Sequence, residues 1–213
     1  MLFGAPGAEV HFCEVHLFPN GAACLHRLSE NMEEVLRDRP FYRNSGGGVT
    51  ISGGEPLQQW EFVSELCETL RRSGVHTVLE TAGYAPRKHL GRVLRHVDLV
   101  LYDVKHLEPE RHLEGTGVDN RLILENLRRT AEKTAATIRI RVPLIAGYNN
   151  SPSHIRRLTL LAREMGAEKI SLLPYHEGGK SKCERIGRTY PLPDARAPTE
   201  EHIKELRKLP SWE

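Results

Sequence analysis

Cysteine is scarce in this chain of 213 residues, and the four that occur, Cys13, Cys24, Cys67 and Cys183, are widely scattered. That spacing excludes a disulfide framework and a CxxC zinc site. Long apolar runs are missing as well. None approaches the roughly 20 residues of a membrane span, and the opening MLFGAPGAEVHF lacks the basic flank and apolar centre of a signal peptide. Blocks of one charge sign are also absent: the formal net charge is +2, with acids and bases interspersed. There is no basic stripe for nucleic acid and no lipid-binding patch. Neither nucleic acid nor a membrane is an expected partner, and the expected location is cytoplasmic. No internal repeat or low-complexity linker interrupts the chain.

What is present is a composition of 39% hydrophobic and 27% charged residues, which suits one globular domain with a proper core. Strand-like runs occur at 49–52, 77–81, 99–105, 137–145 and 169–175. Helical spacing occurs at 57–73, 87–96, 120–135 and 153–166, with two further stretches near 30–38 and 199–209. Strands separated by helices return to the same end of a sheet, so the order predicts a parallel α/β fold. Gly74 and Gly166 stand as helix stops, and Asp119 or Asn120 caps the helix that follows. Cys67 shares helical spacing with Phe62, Val63, Leu66 and Leu70, which makes it a core residue rather than a ligand.

Splitting the strands at the pleat period of two places Leu99, Leu101, Asp103 and Lys105 on one face. Arg139 and Arg141 share a face, as do Leu172, Pro174 and His176. Polar groups therefore collect toward the C-terminal ends of several strands, where α/β folds form their ligand sites. Each has an ordinary reading alone: solvated edge arginines, a local Asp103–Lys105 ion pair, a loop histidine. One convergent polar site accounts for the set together.

The stretch GGGVTISGGEPLQQ adds a sharper signal. Its strand VTIS leaves through Gly53, Gly54, Glu55 and Pro56: two residues without Cβ, a carboxylate, and a proline suited to open a helix. Together with ETAGY, VDLVLYDVKHLEPERHLEGTGVDNRLILENLRR, IRIRVPLIAGYNNS and LLPYHEGGKSK, in that order from about Met32 onward, it resembles the glycyl-radical enzyme activating enzymes. These are relatives of pyruvate formate-lyase activating enzyme within the radical S-adenosylmethionine superfamily. The resemblance implies a partial parallel (β/α) barrel in which Gly53, Gly54, Glu55 and Pro56 hold the methionine end of S-adenosylmethionine. The glycine backbone and the Glu55 carboxylate would take its ammonium group. It further implies that Thr81 and Gly83 line the site and that Asp103 and Lys105 form an acid–base pair near the cofactor, with Asp103 also helping to bind a monovalent cation. Arg141 and His176 approach the cofactor's carboxylate and ribose, roles that suit a fork donor and an imidazole. Two positions depart from the family pattern. AGYNN stands where PGYND is usual, so Ala146 and Asn150 replace a turn proline and an acid, which is expected to weaken the turn more than the chemistry.

The family's reaction uses a 4Fe-4S cluster held by three thiolates in CxxxCxxC, with one iron open to S-adenosylmethionine. The product is a 5′-deoxyadenosyl radical that takes hydrogen from a glycine of a partner glycyl-radical enzyme, with flavodoxin or ferredoxin as electron donor. This chain has no CxxxCxxC, so it offers no cluster ligands, and no catalytic or metal-binding residue is assigned. The run list also lacks a first barrel strand, which would leave the strand of Thr50 as an open edge. Residues 32–213 are then a partial barrel. Residues 1–31 are a remnant of a ferredoxin-like insertion or an irregular segment, with Phe18 where the last cluster cysteine of such an insertion falls and Cys13 as a chance loop thiol. The expectation is a truncated activating enzyme. The alternatives are a non-catalytic S-adenosylmethionine- or partner-binding protein, and an unrelated α/β lyase or isomerase, whose site would not need GGEP.

Overall fold

The computed structural model describes residues 12–16, 32, 35–176 and 190–209. The strands are β1 Phe12–His16, β2 Gly48–Ser52, β3 His76–Thr81, β4 Leu99–Asp103, β5 Thr137–Leu144 and β6 Lys169–Pro174. The helices are α1 Arg39–Ser45, α2 Trp60–Arg72, α3 Arg87–Val93, α4 Pro109–Thr116, α5 Arg121–Lys133, α6 Pro152–Glu164 and α7 Glu200–Arg207. Short 3-10 turns at Pro56–Gln59 and Leu94–His96 lead into α2 and out of α3. The chain divides into two compact units, Met1–Leu101 with Glu132–Thr137, and Tyr102–Ala131 with Ile138–Glu213.

In the first unit β1, β2 and β3 lie side by side and parallel, with Cys13 opposite Val49 and Ile51 opposite Leu79. The apolar, β-branched runs of β2 and β3 suit a parallel sheet covered on both faces: Val49, Ile51, Val78 and Leu79 are all buried. At Gly48 the strands approach so closely that a Cβ would stand 2.0 Å from the His76 carbonyl oxygen. Helix α2 buries Val63, Leu66, Cys67 and Leu70, the single apolar stripe of an amphipathic helix, against β3 and α3. Burial, and then the charge of Asp98, push the Cys67 thiol up to about 12, so it packs as an inert core residue. The Asp98 carboxylate accepts from the Thr77 amide at 2.8 Å, while its own amide donates to the Thr77 carbonyl, which fixes where β4 starts beside β3.

One expectation is corrected here. The first strand is present: Phe12–His16 pairs along the whole of β2, from Phe12 opposite Gly48 to His16 opposite Ser52, so β2 is not an open edge. The Cys13 backbone accordingly belongs to a strand and not to a loop. FCEVH holds one β-branched residue between an acid and a histidine, so its local pattern is too polar to read as a strand, and the ladder supplies what propensity does not. Phe18, Cys24 and Cys183 lie outside the described residues.

The second unit takes the end of β4, then β5 and β6, which run parallel from Arg139 opposite Lys169 to Leu144 opposite Pro174. In β5 burial alternates: Ile138, Ile140, Val142 and Leu144 are buried, while Arg139, Arg141 and Pro143 share the more open face. The Tyr102 hydroxyl donates to the Ile123 carbonyl at 2.7 Å and ties β4 to α5. Of the two capping candidates, Asp119 does the work, accepting from the Arg121 amide at 2.9 Å, whereas Asn120 donates to the His106 carbonyl. Helix α6 starts on Ser151, whose hydroxyl accepts from the His154 amide, and buries Ile155, Leu158 and Ala162. Among the described residues no helix is long and apolar enough to cross a membrane.

Candidate functional site

The turn after β2 is built on glycine. Gly53 and Gly54 have φ of 96° and 52°, a left-handed backbone that side chains with Cβ resist, and Pro56 follows at the start of the 3-10 turn. Glu55 caps that turn. Its Oε1 accepts from the Leu57 amide at 3.3 Å and from the Thr81 hydroxyl at 2.5 Å, and its Oε2 accepts from the Ala82 amide at 3.0 Å. Thr81 Oγ1 in turn accepts from the Gly83 amide at 2.8 Å. The Glu55 carboxylate therefore clasps the turn after β2 to the turn after β3, and Glu55, Thr81 and Gly83 form one network.

In the second unit, Asp103 ends β4 and lies between two cations. Its Oδ2 is 3.7 Å from Lys105 Nζ and its Oδ1 is 3.6 Å from Arg141 Nε. Both distances exceed a close hydrogen bond, so these contacts are ion pairs. The Arg141 side chain is 12% exposed and that of Lys105 37%, so the guanidinium is the more enclosed of the two charges. The Val104 amide donates to the Arg141 carbonyl at 2.9 Å, which holds the two strand ends together. Arg139 has the ordinary fate: its guanidinium pairs through two nitrogens with Glu168, and that hydrogen bond is the main cause holding the Glu168 carboxyl below its usual range. His176 lies just past β6 and is exposed.

Several residues near this pair were not singled out in the sequence. The His106 and His154 rings stack with centroids 4.3 Å apart, and Tyr148 lies 5.2 Å from His106. Burial pushes His154 down to about 4 and also lowers His106 and His112. Asn149 is buried and bonded on both sides of its amide. At the two departures from the family pattern, Asn150 Oδ1 accepts from the Gly147 amide at 2.8 Å, and the Ala146 amide donates to the Arg196 carbonyl at 2.9 Å. A proline at 146 could not make that second bond.

For a cluster, the fit fails on the residues available. Among the described residues no group of three His, Cys, Asp or Glu side chains is placed to hold a metal ion, and Cys67 is sealed in the core. No reaction step is assigned to such a cluster on these residues.

The Radical SAM superfamily profile matches residues 11–159. The chain is 43% identical over 169 residues to the choline trimethylamine-lyase activating enzyme of Oleidesulfovibrio alaskensis, a match that covers 78% of this chain and 54% of that protein. It is 36% identical over 184 residues to the pyruvate formate-lyase-activating enzyme of Staphylococcus aureus, covering 83% of this chain and 73% of that one. Among solved structures, a domain of the pyruvate-formate lyase-activating enzyme from Bacteroides vulgatus superposes with a TM-score of 0.63 at 30% identity, over 77% of this chain and 92% of that domain. The chain thus spans little more than half the length of the choline trimethylamine-lyase relative. Members of the superfamily work with S-adenosylmethionine and a 4Fe-4S cluster. On a profile match over most of its length and on these identities, the chain belongs to the Radical SAM superfamily, among its glycyl-radical enzyme activating enzymes.

Proposed function

We propose that this chain supplies the S-adenosylmethionine-binding part of an activating enzyme whose substrate is a glycine in a partner glycyl-radical enzyme. The observation that carries the reading is the Glu55 carboxylate, held by the Thr81 hydroxyl and the Ala82 amide directly after two left-handed glycines. Glycine lets a ligand come close to backbone carbonyls, and a carboxylate already fixed in place accepts an ammonium group with little further ordering. Pro56 keeps that turn rigid.

In the second unit the enclosed Arg141 fork suits the cofactor's carboxylate, with Asp103 and Lys105 balancing charge beside it and Asp103 available to a monovalent cation. His176 is assigned to the ribose. In an enzyme that also holds the cluster, S-adenosylmethionine would supply, on one-electron reduction, the 5′-deoxyadenosyl group that takes the glycine hydrogen. The chain's own residues bind and orient that cofactor. Electron donation falls to a partner such as flavodoxin or ferredoxin.

Calorimetry with S-adenosylmethionine tests the reading. One saturable site is expected, and heat no greater than dilution overturns it. The four scattered cysteines favour a second reading, a cofactor- or partner-binding protein without redox chemistry. Supplied with a CxxxCxxC segment and a reconstituted cluster, the chain should form 5′-deoxyadenosine under anaerobic reduction on the first reading and none on the second.

A further inference from the structure

We propose that Asn149 is a positioning residue, whose amide fixes the Lys105 backbone and thereby the Asp103–Lys105 pair against Arg141. The functional half of this inference rests on the cofactor reading above.

The β4–β5 ladder breaks at a defined point. After the Val104 amide has bonded to the Arg141 carbonyl, parallel geometry calls for the amide of residue 143 to bond back to Val104. Residue 143 is proline and has no N–H. Beyond that point Asn149 takes over from the backbone. Its Nδ2 donates at 2.8 Å to the Lys105 carbonyl and at 2.8 Å to the Pro143 carbonyl, and its Oδ1 accepts from the Ile145 amide at 2.8 Å.

The side chain is 1% exposed, so these bonds form away from competing water. A neighbouring amide extends the same brace: Asn120 Nδ2 donates at 2.8 Å to the carbonyl of His106, the next residue along. The segment that carries Lys105 out of β4 is thus held by two buried side-chain amides. An amide offers two donors and an acceptor in one plane. A carboxylate offers no donor when ionised and one when protonated, so Asn149→Asp keeps the shape while removing the function in a pH-dependent way. Burial beside two carbonyl oxygens raises the pKa of a carboxyl placed there.

The experiment compares wild type, Asn149→Asp and Asn149→Ser, with Asn126→Ala, a buried amide on α5, as a control for general destabilisation. Two readouts are taken at a temperature where circular dichroism shows each protein folded. The first is amide hydrogen exchange, which needs no cofactor: Val104 should exchange at least tenfold faster in both Asn149 variants and not in Asn126→Ala. The second is S-adenosylmethionine affinity: Asn149→Asp should bind about tenfold more weakly than wild type at pH 8, with the ratio falling below threefold at pH 6 as the carboxyl regains a donor. Unchanged Val104 exchange in both variants overturns the positioning role. Faster exchange with unchanged affinity overturns its link to the cofactor. Wild type that binds no cofactor while Val104 exchange responds as stated defeats the cofactor reading and leaves the brace standing.

Discussion

The Thr81 hydroxyl donates to Glu55 Oε1 across 2.5 Å, joining residues 26 positions apart in the chain. The turn after one strand is thereby braced by the end of the next. Glu55→Ala removes both this brace and the acceptor offered to an ammonium group, and should weaken S-adenosylmethionine binding by about 1–3 kcal/mol. Glu68→Ala, which breaks only an exposed pair with Arg72 on α2, should leave the calorimetric affinity unchanged. Thr81→Val, which removes the hydroxyl and keeps the shape, should fall between them.

Two glycines should respond to alanine with opposite sign. Gly48→Ala drives a Cβ into the His76 carbonyl, a backbone group that cannot step aside without disturbing the ladder, and should cost about 1–3 kcal/mol in urea unfolding. Gly91, inside α3, has open space around the position of its absent Cβ. Gly91→Ala should therefore gain roughly 0.5–1 kcal/mol from helix propensity.

Stability should fall on the acid side, and His154 should account for a measurable part. Its folded pKa of about 4 lies below the usual 6.5, chiefly through burial, so below pH 6.5 the unfolded chain binds a proton that the folded chain refuses. The stability is complete above pH 6.5 and drains away as pH falls toward 4. Lowered His106 and His112 act in the same direction. His154→Phe keeps an aromatic partner for His106 and removes the titration. Its urea midpoint should change less between pH 7 and pH 4.5 than that of wild type, and an unchanged slope would sink the assignment.

Iron and sulfide reconstitution of these 213 residues should give no stoichiometric, cofactor-responsive cluster, because three thiolates in CxxxCxxC spacing are not among them. Electron paramagnetic resonance and assay of 5′-deoxyadenosine read the outcome. Reductive cleavage by the chain as it stands would require Cys13 or Cys24 to act in a way their spacing does not foreshadow.

The elements most legible in the sequence were those whose physics is local. The strands carrying Ile51, Leu79, Leu101, Ile140 and Leu172 are apolar or alternating runs, and their expected ends lie within one or two residues of the observed ones. Helices with a full apolar stripe, such as the one holding Leu66 and Cys67, read equally well. Helices α1 and α4 did not: each is a turn or two long with one buried residue, Tyr42 or His112, and so has no stripe to read. Strand β1 was hidden by Glu14 and His16. Side-chain parity put Asp103, Lys105 and Arg141 at strand ends. It said nothing of the Thr81–Glu55 bond, and an asparagine in AGYNN reads as a turn former whether or not it reaches across to Lys105.

Ala146 changes how that turn resists motion. A proline stiffens a loop by itself, in the unfolded chain as well as the folded one. Here the alanine amide is bonded instead to the Arg196 carbonyl, 50 positions downstream. Rigidity that would have been intrinsic has become cooperative: the turn is as firm as the docking of the segment around Arg196, and the two should open and close as one unit in hydrogen exchange. Whatever loosens the tail will be felt one turn away from Asn149.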